Sequence, residues 1–340
     1  MKQPFNKSFY FPLFVFALIL SVIGIVNLYS ATISLETNQL SDYFKAQLIY
    51  TLVGIVIMLM ASFVSISRWY SLSPFIYGFA LALLVLVLLM GSKTHGSLSW
   101  LDLGFVRLQP SEFGKFGLVM MLARFLANLQ KDEPLSFGEM CFMGLVFIIP
   151  TGLVIAQNDL GSSLFYGFIF GTMIFLQGVK FRYIVIALIV IGVLGMVSYT
   201  FVLKDYQKAR IASFMKPELD PKGSGYHLVQ SKIAVGSGRL MGKGYLKGQS
   251  HRLKFLPERH TDFIFPVLAE EWGFVGGGVT LLCYFLFLMM GLNVASESSS
   301  RFGFFVAAGV TATYFWHLVI NLGGVLGLMP LTGVPLPFLS

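Results

Sequence analysis

The residues best suited to chemistry stand at the end of a basic, glycine-rich stretch. Phe255–Gly273 reads FLPERHTDFIFPVLAEEWG, and within it His260-Thr261-Asp262 lies where a polar segment turns into an apolar one. Charge held at the edge of a membrane costs free energy and is commonly retained for function. The Asp262 carboxylate has two readings from sequence alone: a reacting acid, or the N-cap of a helix that Asp-Phe-Ile-Phe begins. Glu112 and Lys115 are spaced i, i+3, so on one helical face they pair structurally or meet a substrate directly. Asp159, in QNDLGSS, is either the cap of a Leu160–Val179 helix or a site acid on the side of Asp262. Glu270 and Glu271 are adjacent and point about 100° apart on a helix. They are therefore not the facing acids of a glycoside hydrolase; one is expected to face the interior and the other the interface. His317 and Asn321, at i, i+4, read as a buried hydrogen-bonded pair. The five histidines show no metal-ligand spacing, and Cys141 and Cys283 each sit in an apolar run, which argues against a disulfide framework or a thiolate site.

The elements that must position these residues are membrane spans. The chain is 56% hydrophobic and 12% charged, with mean hydropathy +0.77; a soluble domain carries roughly 25% charged residues. Nine spans are expected, near 9–30, 46–66, 70–91, 109–127, 139–157, 161–179, 183–203, 272–294 and 303–324. Each reaches the ~18 residues that cross a ~30 Å hydrocarbon core as helix. The fourth is interrupted by Glu112 and Lys115. A β-barrel would instead show short alternating strands. The class is an all-α polytopic membrane protein in one domain, residues 1–340. The first span is too long and apolar for a cleaved signal and reads as retained. After nine spans the chain stops in GLMPLTGVPLPFLS, and a tenth span beyond Ser340 is expected.

Lysine and arginine set the orientation. Lys2, Lys7, Arg68, Arg124, Lys131, Lys180, Arg182 and Arg301 flank one side, against Lys45, Lys93 and Arg107 on the other. The richer side, with the N-terminus, is therefore cytoplasmic. The segment 203–262 falls outside and carries 12 Lys and Arg against five acids. Such an excess suits an anionic partner there, phospholipid headgroups or a phosphorylated substrate, and makes a nucleic acid implausible. Within this segment YHLVQSKIAVGSG reads as a short amphipathic helix at the interface, with Leu228, Val229, Ile233 and Val235 on its apolar stripe and Gln230, Ser231 and Lys232 opposite. The glycine-rich run Gly236–Gly244 that follows either only turns the chain or brings backbone close to a phosphate, with Arg239 and Lys243 alongside.

Several of these pieces together resemble one family. They are VRLQPSEFGK at 106–115, QNDLGSS at 157–163, DYQKAR at 205–210, DPKGSGYHLVQSKIAVGSGRLMGKGYLKG at 220–248, FLPERHTDFIFPVLAEE at 255–271 and GVPLPFLS at 333–340. The resemblance is to the SEDS family (shape, elongation, division and sporulation), in the wording of its elongation branch, the RodA type, and it spans nearly the whole chain. It implies ten transmembrane helices with a large external loop between the seventh and eighth. It implies a peptidoglycan glycosyltransferase that polymerises lipid II in the bacterial inner (cytoplasmic) membrane, beside a class B penicillin-binding protein and other elongation-complex membrane proteins. Two departures stand out: Asn158 replaces a proline of the usual QPDLGT, and 248–251 reads GQSH for GTQS.

With the resemblance, Asp262 becomes the expected catalytic acid. It is either a general base for the attacking sugar hydroxyl or the ligand of a divalent cation, magnesium or manganese, that steadies the diphosphate. Arg107, Glu112, Lys115, Asp159, Arg210, Lys232, Lys243 and Arg259 are the expected substrate contacts, the cations supplying a positive field for the leaving group. A flippase for the same lipid is the competing reading, since an intramembrane Glu112 and Lys115 would suit a transporter. The polar signature in an external segment, and the lack of an inverted repeat, favour the enzyme. A scaffold that only positions the transpeptidase would not need an acid at the membrane mouth.

Overall fold

The computed structural model describes residues 10–33, 41–94, 97–102, 107–129, 133–202, 208, 212–217, 223–248 and 261–340. Its long helices are α1 (Phe11–Thr32), α2 (Asp42–Ser62), α3 (Ile66–Met90), α4 (Pro110–Leu129), α5 (Phe137–Ala156), α6 (Leu160–Gln177), α7 (Phe181–Val197, continued as one π-helical turn Ser198–Val202), α9 (Ile264–Glu297) and α10 (Arg301–Leu326); the shorter α8 is Ser224–Ser237. Eight of these, all but α4 and α8, are long and apolar enough to cross a membrane. The remaining expected span is α4, as long as the others but carrying Glu112, Lys115 and Arg124.

The chain divides into two compact units. The first holds Ser62–Ile189 and Gly291–Trp316, and α4 is its centre. Leu118, Leu122 and Leu126 of α4 are fully buried with Leu84 of α3, Met143 of α5 and Tyr166 and Ile169 of α6. A helix with three charges can hold that place because protein, not lipid, surrounds it. Small residues allow the close approach: a Cβ added at Gly117 would lie 3.1 Å from the Cβ of Ala80 on α3. Between α3 and α4 the structure adds what the helical reading did not contain, a small antiparallel sheet of β1 (Ser92–Thr94), β2 (Ser97–Asp102) and β3 (Arg107–Leu108) in the order β1-β2-β3. Strands this short carry too little alternation to stand out from a polar loop.

The second unit holds Ser8–Ala61, Val190–Met290 and His317–Ser340. Leu20, Leu28 and Ala31 of α1 are buried in it, as are Ile264, Val267 and Leu268 of α9 and Leu336 and Leu339 of the C-terminal segment. α9 starts at Ile264, well before the expected residue 272, because it is two helices in line. Gly273, at φ 68° and ψ −165°, breaks it, in a left-handed region that only glycine enters without strain. α8 forms as expected, and the face it turns to the protein crosses the apolar stripe. Leu228, Ser231, Ala234 and Gly238 are buried, whereas Val229 (38%) and Ile233 (55%) are exposed. Small residues face the protein, and Ser231 Oγ donates to Val325 O at 2.7 Å.

Candidate active site

In the first unit the polar residues converge where α4 and α6 begin. Pro110 opens α4, its missing N–H costing nothing at that position, and Glu112 lies in the first turn, where an acid suits the helix dipole. Lys115 Nζ stands 2.8 Å from Glu112 Oε1 and 4.6 Å from the centroid of the Phe165 ring. The pair is lopsided: the lysine side chain is 3% exposed and the glutamate 45%. Asp159 caps α6, accepting from Ser162 N at 3.0 Å and Ser162 Oγ at 2.8 Å. It also accepts from Gln109 Nε2 at 3.3 Å, which links the starts of the two helices. Tyr166 OH donates to Ser111 O at 2.9 Å across Gly114. Asn158 sits at φ 61°, a backbone that the proline it replaces cannot adopt. Arg107 pairs with Asp102 opposite it in the β2–β3 ladder at 3.5 Å, on the surface.

In the second unit Asp262 is half-buried in the turn that leads into α9. Its backbone carbonyl accepts from Asn321 Nδ2 at 3.0 Å, and that same nitrogen reaches Val334 O at 2.7 Å. His317 Nδ1 is 3.5 Å from Pro335 O. The i, i+4 residues of α10 thus both look to the C-terminal segment, and Asn321 also holds the backbone of the candidate acid. Sequence spacing could suggest their burial but not that partner.

The other end of the short half-helix is held by the turn after α8, residues 238–248. Lys243 N donates to Glu270 O and Gly244 N to Glu271 O, both at 3.0 Å; Phe274 N donates to Arg239 O at 2.8 Å and Val275 N to Leu240 O at 3.1 Å. These are carbonyls before the Gly273 break and N–H groups after it, the kinds of group that a helix end leaves without partners. A side chain at Gly238 would overlap Ala269 O, and one at Gly242 would overlap Glu271 O. The glycines of this run therefore admit the turn to the broken helix. The phosphate-approach reading gives way, because the N–H groups of Gly242, Lys243, Gly244 and Lys247 are engaged within the protein.

The turn also explains why Glu270 and Glu271 both face inward, at 1% exposure each, against the expectation of one in and one out. Glu270 Oε1 meets Lys243 Nζ at 2.6 Å. Glu271 accepts from Ser30 Oγ of α1 at 2.6 and 2.7 Å and from the backbone N–H groups of Leu246 and Gly248. The 100° between adjacent side chains sends one acid to the turn's cation and the other to α1. Lys243, expected as a cation for substrate, is thus the counter-charge of a buried acid. Lys232 is exposed, its stem lying over Gly327. Arg210 and Arg259 lie outside the described residues.

Comparison with known proteins decides the family. Residues 11–340 match the family FtsW/RodA/SpoVE, described as cell cycle protein. The chain belongs to this family. It is 41% identical over 288 residues to the peptidoglycan glycosyltransferase MrdB of Escherichia coli (strain K12), covering 85% of this chain and 77% of that protein. It is 31% identical to the peptidoglycan glycosyltransferase RodA of Treponema pallidum (strain Nichols), covering 95% of this chain and 90% of that one. A solved structure described as a peptidoglycan synthase complex that coordinates polymerization and crosslinking contains a chain of the same fold. The TM-score is 0.83 and the identity 29%, over 97% of this chain and 91% of that chain. The SEDS fold and the multi-pass membrane class are thereby shown.

Among the described residues no three His, Cys, Asp or Glu side chains come together as metal ligands.

Proposed function

We propose that this SEDS protein, a peptidoglycan glycosyltransferase of the RodA type, polymerises lipid II with Asp262 as general base. The observation that carries the proposal is the setting of Asp262. It is a half-buried acid at the head of a short half-helix, with its backbone held by Asn321 and the far end of that half fixed to the turn 238–248. A base must be held still to within hydrogen-bond reach of the proton it takes.

The reaction balances without a covalent enzyme intermediate. The 4-hydroxyl oxygen of one sugar attacks the anomeric carbon of another. Its proton passes to an Asp262 carboxylate oxygen as the new C–O bond forms. The bond to undecaprenyl diphosphate breaks, and the lipid diphosphate leaves with the electron pair. One displacement inverts the anomeric centre. In this reading Lys232, Arg210 and Arg259 of the segment 203–262 supply positive charge toward the diphosphate. Lys243 acts through Glu270, and Glu112 and Asp159 hold Lys115 and Gln109 in place.

The same reading puts 203–262 outside the bacterial inner membrane and the N-terminus inside, with ten spans in the full family fold. It gives the protein a class B penicillin-binding protein as cross-linking partner within an elongation complex. The buried Lys115 would suit a lipid II flippase, but its pairing with Glu112 leaves it closed on itself in the first unit. The deciding experiment supplies lipid II to the purified full-length protein with its partner and follows glycan length on gels. Long strands are expected. Lipid II crossing proteoliposome membranes with no strand formed would overturn the enzyme reading.

A further inference from the structure

Asp262 is carried by a lever. The short half of α9 breaks from the rest at Gly273 and carries Asp262 at its other end, where Asn321 holds the Asp262 carbonyl and Asn27 of α1 donates to Ile264 O at 2.9 Å. At ~1.5 Å per residue that arm is ~13 Å long, so a tilt of ~5° at the pivot displaces the acid by ~1 Å. A glycine at φ 68° does not stiffen its own joint. The stiffness comes from outside the helix, through the backbone bonds from 239–244 to 270–275 and the two acids clasped beside them.

We propose that the turn 238–248 is a splint that sets the position of Asp262, with Lys243 and Glu270 as its positioning residues. The inference rests on the reading of Asp262 as the base, and it assigns a catalytic consequence to residues that touch neither substrate nor reacting atom. Lys243 Nζ holds Glu270 on the arm, just before the break at Gly273, while the same turn binds Phe274 and Val275 beyond it through Arg239 O and Leu240 O. Its own backbone N–H holds the Glu270 carbonyl, so side chain and main chain grip the same residue. Glu271 ties the far part of the same turn, Leu246 and Gly248, to Ser30 on α1. The turn therefore cannot follow the arm when it tilts.

The test measures kcat and KM for lipid II in the full-length protein with its partner, for Lys243→Met, Lys243→Arg and Asp262→Asn. It adds backbone hydrogen exchange at Phe274 and Val275. A misplacement of ~1 Å costs about 10²-fold in rate, so Lys243→Met should lose roughly that factor in kcat with KM unchanged. Exchange at Phe274 and Val275 should rise, and Lys243→Arg should restore most of the rate. If Lys243→Met does not fold, the neutral pair Lys243→Met with Glu270→Gln is read by the same criterion. A rise in KM with kcat intact would overturn the splint and make Lys243 a substrate contact. A folded variant polymerising within about threefold of wild type, beside an inactive Asp262→Asn, would overturn the splint and leave the base standing. An active Asp262→Asn would remove the base and the splint's catalytic role together.

Discussion

Asn321 and Asp262 are joined through the backbone: the asparagine amide donates to the aspartate carbonyl at 3.0 Å and to Val334 O at 2.7 Å. One nitrogen therefore ties α10, the turn bearing the candidate base and the C-terminal segment. Its oxygen, Oδ1, has no partner among the described residues. The donors are what this amide provides, and the interaction fixes where Asp262 stands without altering the carboxylate itself.

Asn321→Leu keeps the volume and removes both donors. Each carbonyl left without a partner costs about 1–3 kcal/mol. The variant should melt at lower temperature in detergent and polymerise at least tenfold more slowly, by analogy with other positioning losses of about that size. Wild-type melting and wild-type rate together would show that neither carbonyl depends on this amide.

The Glu112–Lys115 pair makes an asymmetric prediction. Lys115 is the buried partner and Glu112 is nearly half exposed. Glu112→Gln removes the paired counter-charge of an ammonium held in protein interior, a change whose upper range is about 3–5 kcal/mol and which Asp159 and the Phe165 ring reduce. Lys115→Met strands only a partly solvated carboxylate and should cost less. The double variant should recover folded yield relative to Glu112→Gln. Equal losses in the two single variants, adding in the double, would count against pairing.

How far the sequence was legible differs by element. The spans could be read from uncharged length, except the fourth: α4 forms a helix there, but with Glu112, Lys115 and Arg124 it is not among the eight helices apolar enough to cross a membrane. The span of α9 was placed from 272 because Gly273 separates Ile264–Trp272 from the longer apolar half, although a helix opening after Asp262 was one of the two readings of that acid. For α8 the sequence showed the apolar stripe but not which residues meet protein. Leu228 of the stripe is buried with Ser231 and Ala234, while Ile233 is exposed. Both acids at 270–271 are buried because a distant turn supplies one with Lys243 and the other with two N–H groups, a contact that no local pattern encodes. The candidate acid itself was legible from its motif; what holds it, Asn321 and the turn, was not.

Gly114 lies under the Tyr166 hydroxyl, and a Cβ there would overlap that oxygen and sit 3.0 Å from Cζ. Gly114→Ala should therefore lower stability by roughly 1–3 kcal/mol, the usual cost of overpacking. Tyr166→Phe removes the overlapping oxygen but also its bond to Ser111 O. Combining the two should cost less than the sum, since the clash is counted once. Melting temperatures of the four proteins of this cycle test it, and strict additivity would mean that α4 and α6 move apart freely.

The last prediction concerns Asp262 directly. Asn in its place keeps the size and the ability to cap a helix, because Asn and Asp cap about equally well. The Asn321 bond is to the backbone and survives the change. What disappears is the negative charge and the capacity to accept a proton. Loss of a general base typically costs about 10²–10⁴ in rate. Asp262→Asn should therefore insert, melt and bind its partner as wild type does, and retain lipid II, yet make glycan strands at least 10²-fold more slowly. Strand synthesis by purified protein, with melting temperature and partner pull-down on the same preparation, separates chemistry from folding. Activity within a few-fold of wild type would reduce Asp262 to a turn residue and return the search for the base to the first unit. There Asp159 is the acid at the α6 terminus, and Gln109 and Ser162 already occupy its oxygens.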